Sequence, residues 1–251
     1  MTLRMNKLDR ASVAHAAQVG IMALMMMGSE MTSAFAASSQ GSTIMVPKSS
    51  LAILTEKEGV AAALAHRHII VATNWTAELR IDRKVEKMAS LAAITSGSAT
   101  ILIPVKDLIV DSPDASAGIV GFLGELKLWN PKDDRLEPGN AKKVRENMLD
   151  ESQLDVAKYP NIEGSGRFSS CQAVNESSTR CSLELTLKIR GRVVTKKLPL
   201  VIRYSGGELI AEFSGSFAFS EFGIKPYTAL MGAIAVKDGF TLASRIVALG
   251  D

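Results

Sequence analysis

The chain has 251 residues, 47% hydrophobic and 22% charged, with 19 glycines and 8 prolines. That balance excludes collagenous, low-complexity and wholly disordered proteins, and the length suits one or two domains with a sizeable core. A net charge of +3, from 29 basic and 26 acidic residues, gives no ground for a nucleic-acid partner.

The first segment reads as an address. Arg4, Lys7 and Arg10 face one acid, Asp9, before an apolar stretch over 11–27, and Ala34-Phe35-Ala36 places small residues around one position. Basic start, apolar middle and A-x-A end are the parts of a cleaved secretory signal peptide, residues 1–36. An uncleaved anchor and a buried amphipathic helix are the rival readings. Against the anchor, His15, Gln18 and Gly20 interrupt the run and Glu30 ends it, short of the roughly 20 clean residues a span requires. Residues 37–48, rich in small polar residues, read as a flexible leader, and 49–251 as the working domain.

From Leu51 onward period-two alternation dominates, the mark of strands. Ile69–Ile81 alternates Val71, Thr73, Trp75, Ala77, Leu79 and Ile81 against Asn74, Thr76, Glu78 and Arg80. Short β-branched runs follow at Ala99–Val105 and Lys106–Val110, and Gly118–Trp129 fits a strand or a helix. Asn140–Lys158 breaks the pattern: Val144, Met148 and Leu149 have helical spacing between Pro138 and Pro160, which predicts one or two short helices. Strands resume at Cys181–Ile189, turn at Gly191, return over Val193–Tyr204, turn at Gly206-Gly207, and continue through Leu209–Phe219. Phe240–Leu249 is the last strand. So many short antiparallel strands predict an all-β barrel or sandwich.

Cys171 and Cys181 are the two cysteines, and the residues between them are polar and turn-like. A hairpin would bring them together, and an oxidising compartment would let them bond. A redox pair or half a metal site are the alternatives. The first usually has C-x-x-C spacing, and the second lacks its other half.

Leu154-Asp155-Val156-Ala157-Lys158-Tyr159-Pro160-Asn161-Ile162 resembles the helix end and Lys-Tyr-Pro segment of the YceI-like family of exported polyisoprenoid-binding proteins. Leu185–Gly191 with Thr195–Leu200 is similar to that family's hairpin around a glycine, and Phe217–Ile224 to its late strand and Phe-Gly turn. The resemblance spans roughly 45–251. It departs at the opening, where Ala65-His66-Arg67-His68 replaces the familiar His-Ser start, and at Ile162-Glu163-Gly164, where an aromatic residue is usual. The resemblance implies a lipocalin-like closed barrel in the bacterial periplasm or outside the cell, holding a polyisoprenoid or similar amphiphile for transport or storage. The expected apolar wall is Val71, Thr73, Trp75, Ile101, Ile103, Leu185, Leu187, Leu200, Ile202, Phe213 and Phe217. A prenyl chain gains about 0.8 kcal/mol for each buried CH₂, so such a site needs no polar motif.

Other chemistry finds little support. No G-x-S-x-G, G-x-G-x-x-G or phosphate-cradling loop occurs, and no catalytic residue or cofactor is expected beyond a bound isoprenoid. His66 and His68, on one side of a strand, are weak metal candidates for want of a third ligand, or contacts to a ligand's head group. Lys188, Arg190, Arg192, Lys196 and Lys197 read as a solvated hairpin tip, or as attraction to an anionic membrane surface during transient contact. A ligand-free module binding another envelope protein is the alternative function, and a metal- or haem-linked redox accessory a lesser one. A homodimer stays open.

Overall fold

The structure, a computed structural model, describes residues 39–42, 48–83, 94–130 and 138–249. The expected signal peptide, 1–36, lies outside the described residues, as does much of the leader. The elements run β1 (Ser39–Ser42), β2 (Ser50–Glu58), β3 (His68–Ala72), β4 (Thr76–Arg83), β5 (Ile94–Pro104) and β6 (Leu108–Val110). Two helices follow, α1 (Pro113–Glu125) and α2 (Pro138–Leu149). Then come β7 (Asn161–Asn175), β8 (Ser178–Ile189), β9 (Arg192–Ser205), β10 (Glu208–Ala218), β11 (Thr228–Ala229) and β12 (Ile234–Leu249).

One antiparallel sheet takes the order β1-β4-β5-β7-β8-β9-β10-β12-β2-β3-β6, with β11 added beside β12. It curls into the lipocalin-like barrel. No ladder joins its two ends among the described residues; the chain itself bridges them twice. Thr73-Asn74-Trp75 leads from β3 to β4, and a 3-10 turn, Val105–Asp107, leads from β5 to β6. The crossings are stitched together: the Thr73 N–H and Oγ1 both donate to the Asp107 carbonyl, at 3.1 and 2.9 Å, and Asn74 Nδ2 donates to Asp107 Oδ2 at 3.1 Å.

Strands with one wet face sort as their alternation predicts. On β8, Leu183, Leu185, Leu187 and Ile189 are buried and Glu184 and Lys188 exposed. The β2–β3 corner differs, because α1 covers its outer surface. Ser112 caps that helix by accepting the Ala115 N–H at 3.2 Å, and Pro113 opens it. Ile119, Phe122 and Leu123 then pack on Ala52, Leu54, Ile69, Val71 and Ala243 to form a second core outside the barrel. Gly118 permits the close approach, since a Cβ there would lie 2.8 Å from Ser50 Oγ. The ambiguous Gly118–Trp129 stretch is thus largely helix.

Three expectations need correction. Ile69–Ile81 is two strands, broken at the 73–75 crossing, so Thr73 is exposed there instead of facing inward. Val71 points outward beneath α1, because both faces of β3 are buried and its apolar run carries no readable parity. Part of the expected flexible leader is β1, paired with β4 from Ser39↔Asp82 to Ser42↔Leu79. The helix expected within 140–158 ends at Leu149, and turns carry the chain to Lys158. Cys171 and Cys181 form the expected disulfide across β7 and β8, Cα atoms 4.0 Å apart, where a bulge shifts the register.

Candidate functional site

Two adjoining apolar cavities, of 130 and 290 Å³, occupy the barrel. Their origin is the size of inward residues. Ala77 on β4, Ala99 on β5 and Ala211 on β10 present methyl groups where large side chains would meet. On β7 the inward row reads Ile162, Gly164, Gly166, Phe168. A Cβ on Gly164 would come within 2.5 Å of Ile101 Cγ2, so the glycine lets β5 and β7 curl tightly.

The inner cavity is walled by Leu185, Leu187, Ile101, Ile103, Leu200 and Phe213, six of the residues expected from the sequence. Trp75, Ile202 and Phe217 belong to the same buried cluster without bordering either cavity, and Val71 and Thr73 are elsewhere, as described. Ser244 is a polar exception in this wall, its buried Oγ without a hydrogen-bond partner in the described structure.

The outer cavity lies between the barrel's end, α2 and the loops. Val144 and Met148 of α2, Leu154, and the aromatic group Phe219, Phe222 and Phe240 enclose it. Phe240 sits 4.7 Å from Phe219 and 6.2 Å from Phe222, centroid to centroid. Ile53, Ile70, Leu108, Ile162, Ile189 and Phe240 border both cavities, giving one apolar wall from rim to interior. Exposed Leu64, His66 and Tyr227 stand at the rim.

A short turn, Phe219–Phe222, places two of those phenylalanines. Glu221 holds it by accepting the Ala218 N–H at 2.7 Å, and Lys196 Nζ lies 2.8 Å from the same carboxylate. The Lys196 hydrogen bond is the main cause of a Glu221 pKa below its ordinary value of 4.5, partial burial opposing it. Other charges of the basic hairpin are similarly engaged: Lys188 pairs with Glu163 at 2.9 Å, and Arg190 donates to the Glu151 carbonyl at 2.8 Å.

The sequence pairs His66 with His68, and both line the outer cavity, although β3 begins only at His68. His68 Nδ1 lies 2.8 Å from Asp111 Oδ2, and Asp111 Oδ1 accepts the Ile69 N–H at 3.0 Å. Among the described residues no three His, Cys, Asp or Glu side chains converge as a metal site. Asp111, Phe240 and Met148 were not anticipated. Their contacts are long-range, and the one local signal is the turn-forming Asp111-Ser112-Pro113 itself.

A curled antiparallel sheet with an apolar lumen and a helix at its mouth defines a lipocalin-like barrel. No protein-family model and no curated protein matches the sequence. Among solved structures, BcnA of Burkholderia cenocepacia is similar at 14% identity and TM-score 0.50, over 82% of this chain and 99% of that one. A polyisoprenoid-binding domain from Saccharophagus degradans, implicated in plant cell wall breakdown, aligns at 10% identity and TM-score 0.49, over 84% and 98%. The YceI protein of Campylobacter jejuni aligns at 13% and 0.43, over 72% and 84%. At such identities the likeness is one of fold alone.

Proposed function

We propose that the protein is an exported lipid carrier of the periplasm or cell exterior. It holds a polyisoprenoid or similar long-chain amphiphile in its lumen, for transport or storage. The observation that carries this reading is the continuous apolar wall around the 130 and 290 Å³ cavities. Each cavity alone falls below the roughly 300–1,000 Å³ typical of small-molecule sites, and the two joined reach its lower end, which suits a chain of a few isoprene units. Each buried CH₂ contributes about 0.8 kcal/mol, so walls of Leu, Ile and Phe suffice for affinity.

The Cys171–Cys181 disulfide favours an oxidising compartment, in keeping with the signal-like N-terminus. No helix among the described residues is long and apolar enough to cross a membrane. The rim supports transient contact with a membrane surface. Val60, Leu64, Leu230 and Met231 are exposed apolar residues there, and Leu230 and Met231 hold left-handed backbone angles, φ 49° and 54°. The loops carrying them are joined by the Ala61 N–H donating to the Ala233 carbonyl at 2.9 Å.

Native mass spectrometry of protein purified from its own envelope, with organic extraction of the same sample, tests the proposal. A retained mass that extraction resolves into a prenyl lipid is the expected result. A clean apo mass, with no uptake of added prenyl lipid, would reject the carrier.

A further inference from the structure

A hydrocarbon chain makes no use of the polar pair at the outer end of the lumen. Asp111 is buried, its side chain wholly inaccessible, and its backbone is left-handed at φ 51°. An acid buried in an apolar wall is costly unless its oxygens are satisfied, and a non-glycine residue at positive φ adds strain. Both oxygens are satisfied here, by the Ile69 N–H and by His68.

Those contacts orient the histidine. With Asp111 as a carboxylate, which only accepts hydrogen bonds, Nδ1 is the donor and the ring is held by that bond. Nε2 is left over, and it makes no hydrogen bond among the described residues. The side chain is 12% exposed and lines the outer cavity. Further in, the wall is Leu185, Leu187, Ile103 and Leu200. An amphiphile therefore has one favourable orientation, tail inward and head in the outer cavity, where His68 stands among the polar lining residues Thr55, His66, Asn147 and Gln153.

We propose that His68, oriented by Asp111, binds the oxygen head group of the lumenal amphiphile through Nε2. The inference rests on the carrier reading and adds a head-group class to it. A neutral imidazole accepts from a hydroxyl, and an imidazolium donates to a phosphate oxygen. Both heads share one contact, a single oxygen at Nε2.

The test compares three ligands of one skeleton: farnesol, farnesyl phosphate and the oxygen-free hydrocarbon farnesane. Each is titrated against N-phenyl-1-naphthylamine bound to the delipidated protein, and the displaced fluorescence gives relative affinity. The wild type should prefer at least one oxygen-headed ligand over farnesane by about fivefold, the value of one ordinary hydrogen bond. Farnesol alone in front identifies a hydroxyl head, and farnesyl phosphate alone a phosphate head. In His68→Asn the amide nitrogen takes the place of Nδ1, keeping the bond to Asp111 and removing Nε2. That variant should lose the preference and bind farnesane as before. Long-range ¹H–¹⁵N spectra of the wild-type histidines give a second readout that needs no variant: the His68 Nε2 resonance should move with the preferred ligand and not with farnesane. Equal affinities in the wild type, or a preference that survives His68→Asn, would overturn the inference and leave the carrier intact. Binding of none of the three would reject the carrier, and the inference with it.

Discussion

Ala99→Phe separates the lumen from an ordinary core. Ala99 lies opposite Leu79 on β4 and Gly166 on β7, with its methyl group facing the inner cavity. A phenyl ring there would occupy space that the proposed chain uses. Burying it stabilises the empty protein by about 2 kcal/mol, which raises Tm by about 4–8 °C for a domain of this size. The ring also displaces about four methylene-sized groups of the ligand, about 3 kcal/mol, and weakens binding on the order of a hundredfold. Stability and affinity should therefore move in opposite directions. Thermal melts of the delipidated protein and displacement titrations with farnesol read the two quantities on one sample. A variant that melts lower would show that the site is already packed, and unchanged affinity would place the ligand elsewhere; either result refutes the reasoning.

Replacing Cys171 and Cys181 together by serine should cost about 2–3 kcal/mol, from the entropy of the short loop they close, read as a lower denaturant midpoint. Glu221→Gln tests the turn that positions Phe219 and Phe222. Because Lys196 lowers the Glu221 pKa below 4.5, the contact stabilises the fold fully above that value and is lost as pH falls through the lowered one. The gap in stability between wild type and variant should thus be present at about pH 6 and shrink toward about pH 3; a gap independent of pH would remove the ion pair from the account. Val60→Ser with Met231→Ser should reduce cosedimentation with lipid vesicles while leaving farnesol affinity in solution unchanged. Leu123→Ala, under α1, should cost about 2–5 kcal/mol without altering farnesol affinity, because its side chain faces the outer core.

The strands most legible in the sequence are those whose two faces meet different environments. On β8 and β10 apolar residues alternate with charged or small polar ones, and the barrel interior follows directly from Leu183 to Ile189 and at Leu209 and Phe217. The run Ile69-Ile70-Val71-Ala72 erases that signal because all four are buried, two toward the lumen side and two beneath α1. The helix itself was ambiguous for a related reason. Gly118, Gly121 and Gly124 weaken its propensity, and the first of them is required by the approach to Ser50. The lumen left a fainter trace, small residues at inward positions on β4, β5, β7 and β10, where a packed barrel would place large ones. Asp111 left almost none, since its meaning depends on His68, 43 residues away.

The second core explains how a barrel can keep its interior unfilled. A cavity costs the fold the contacts that its walls fail to make, and this deficit falls on the strands around Ala77, Ala99 and Gly164. The β2–β3 corner carries compensating density: Ile69, Ile119, Leu123 and Ala243 are completely inaccessible to solvent, packed with Phe122 and Trp129. That corner includes β2 and β3, next to one end of the open strand path, where no ladder closes the sheet among the described residues. Packing outside the barrel therefore supports the seam and leaves the inside open to the proposed ligand. A bound ligand would add stability by mass action, about 2.7 kcal/mol at a hundred times Kd. Such a division suits a carrier, which must remain folded both loaded and empty.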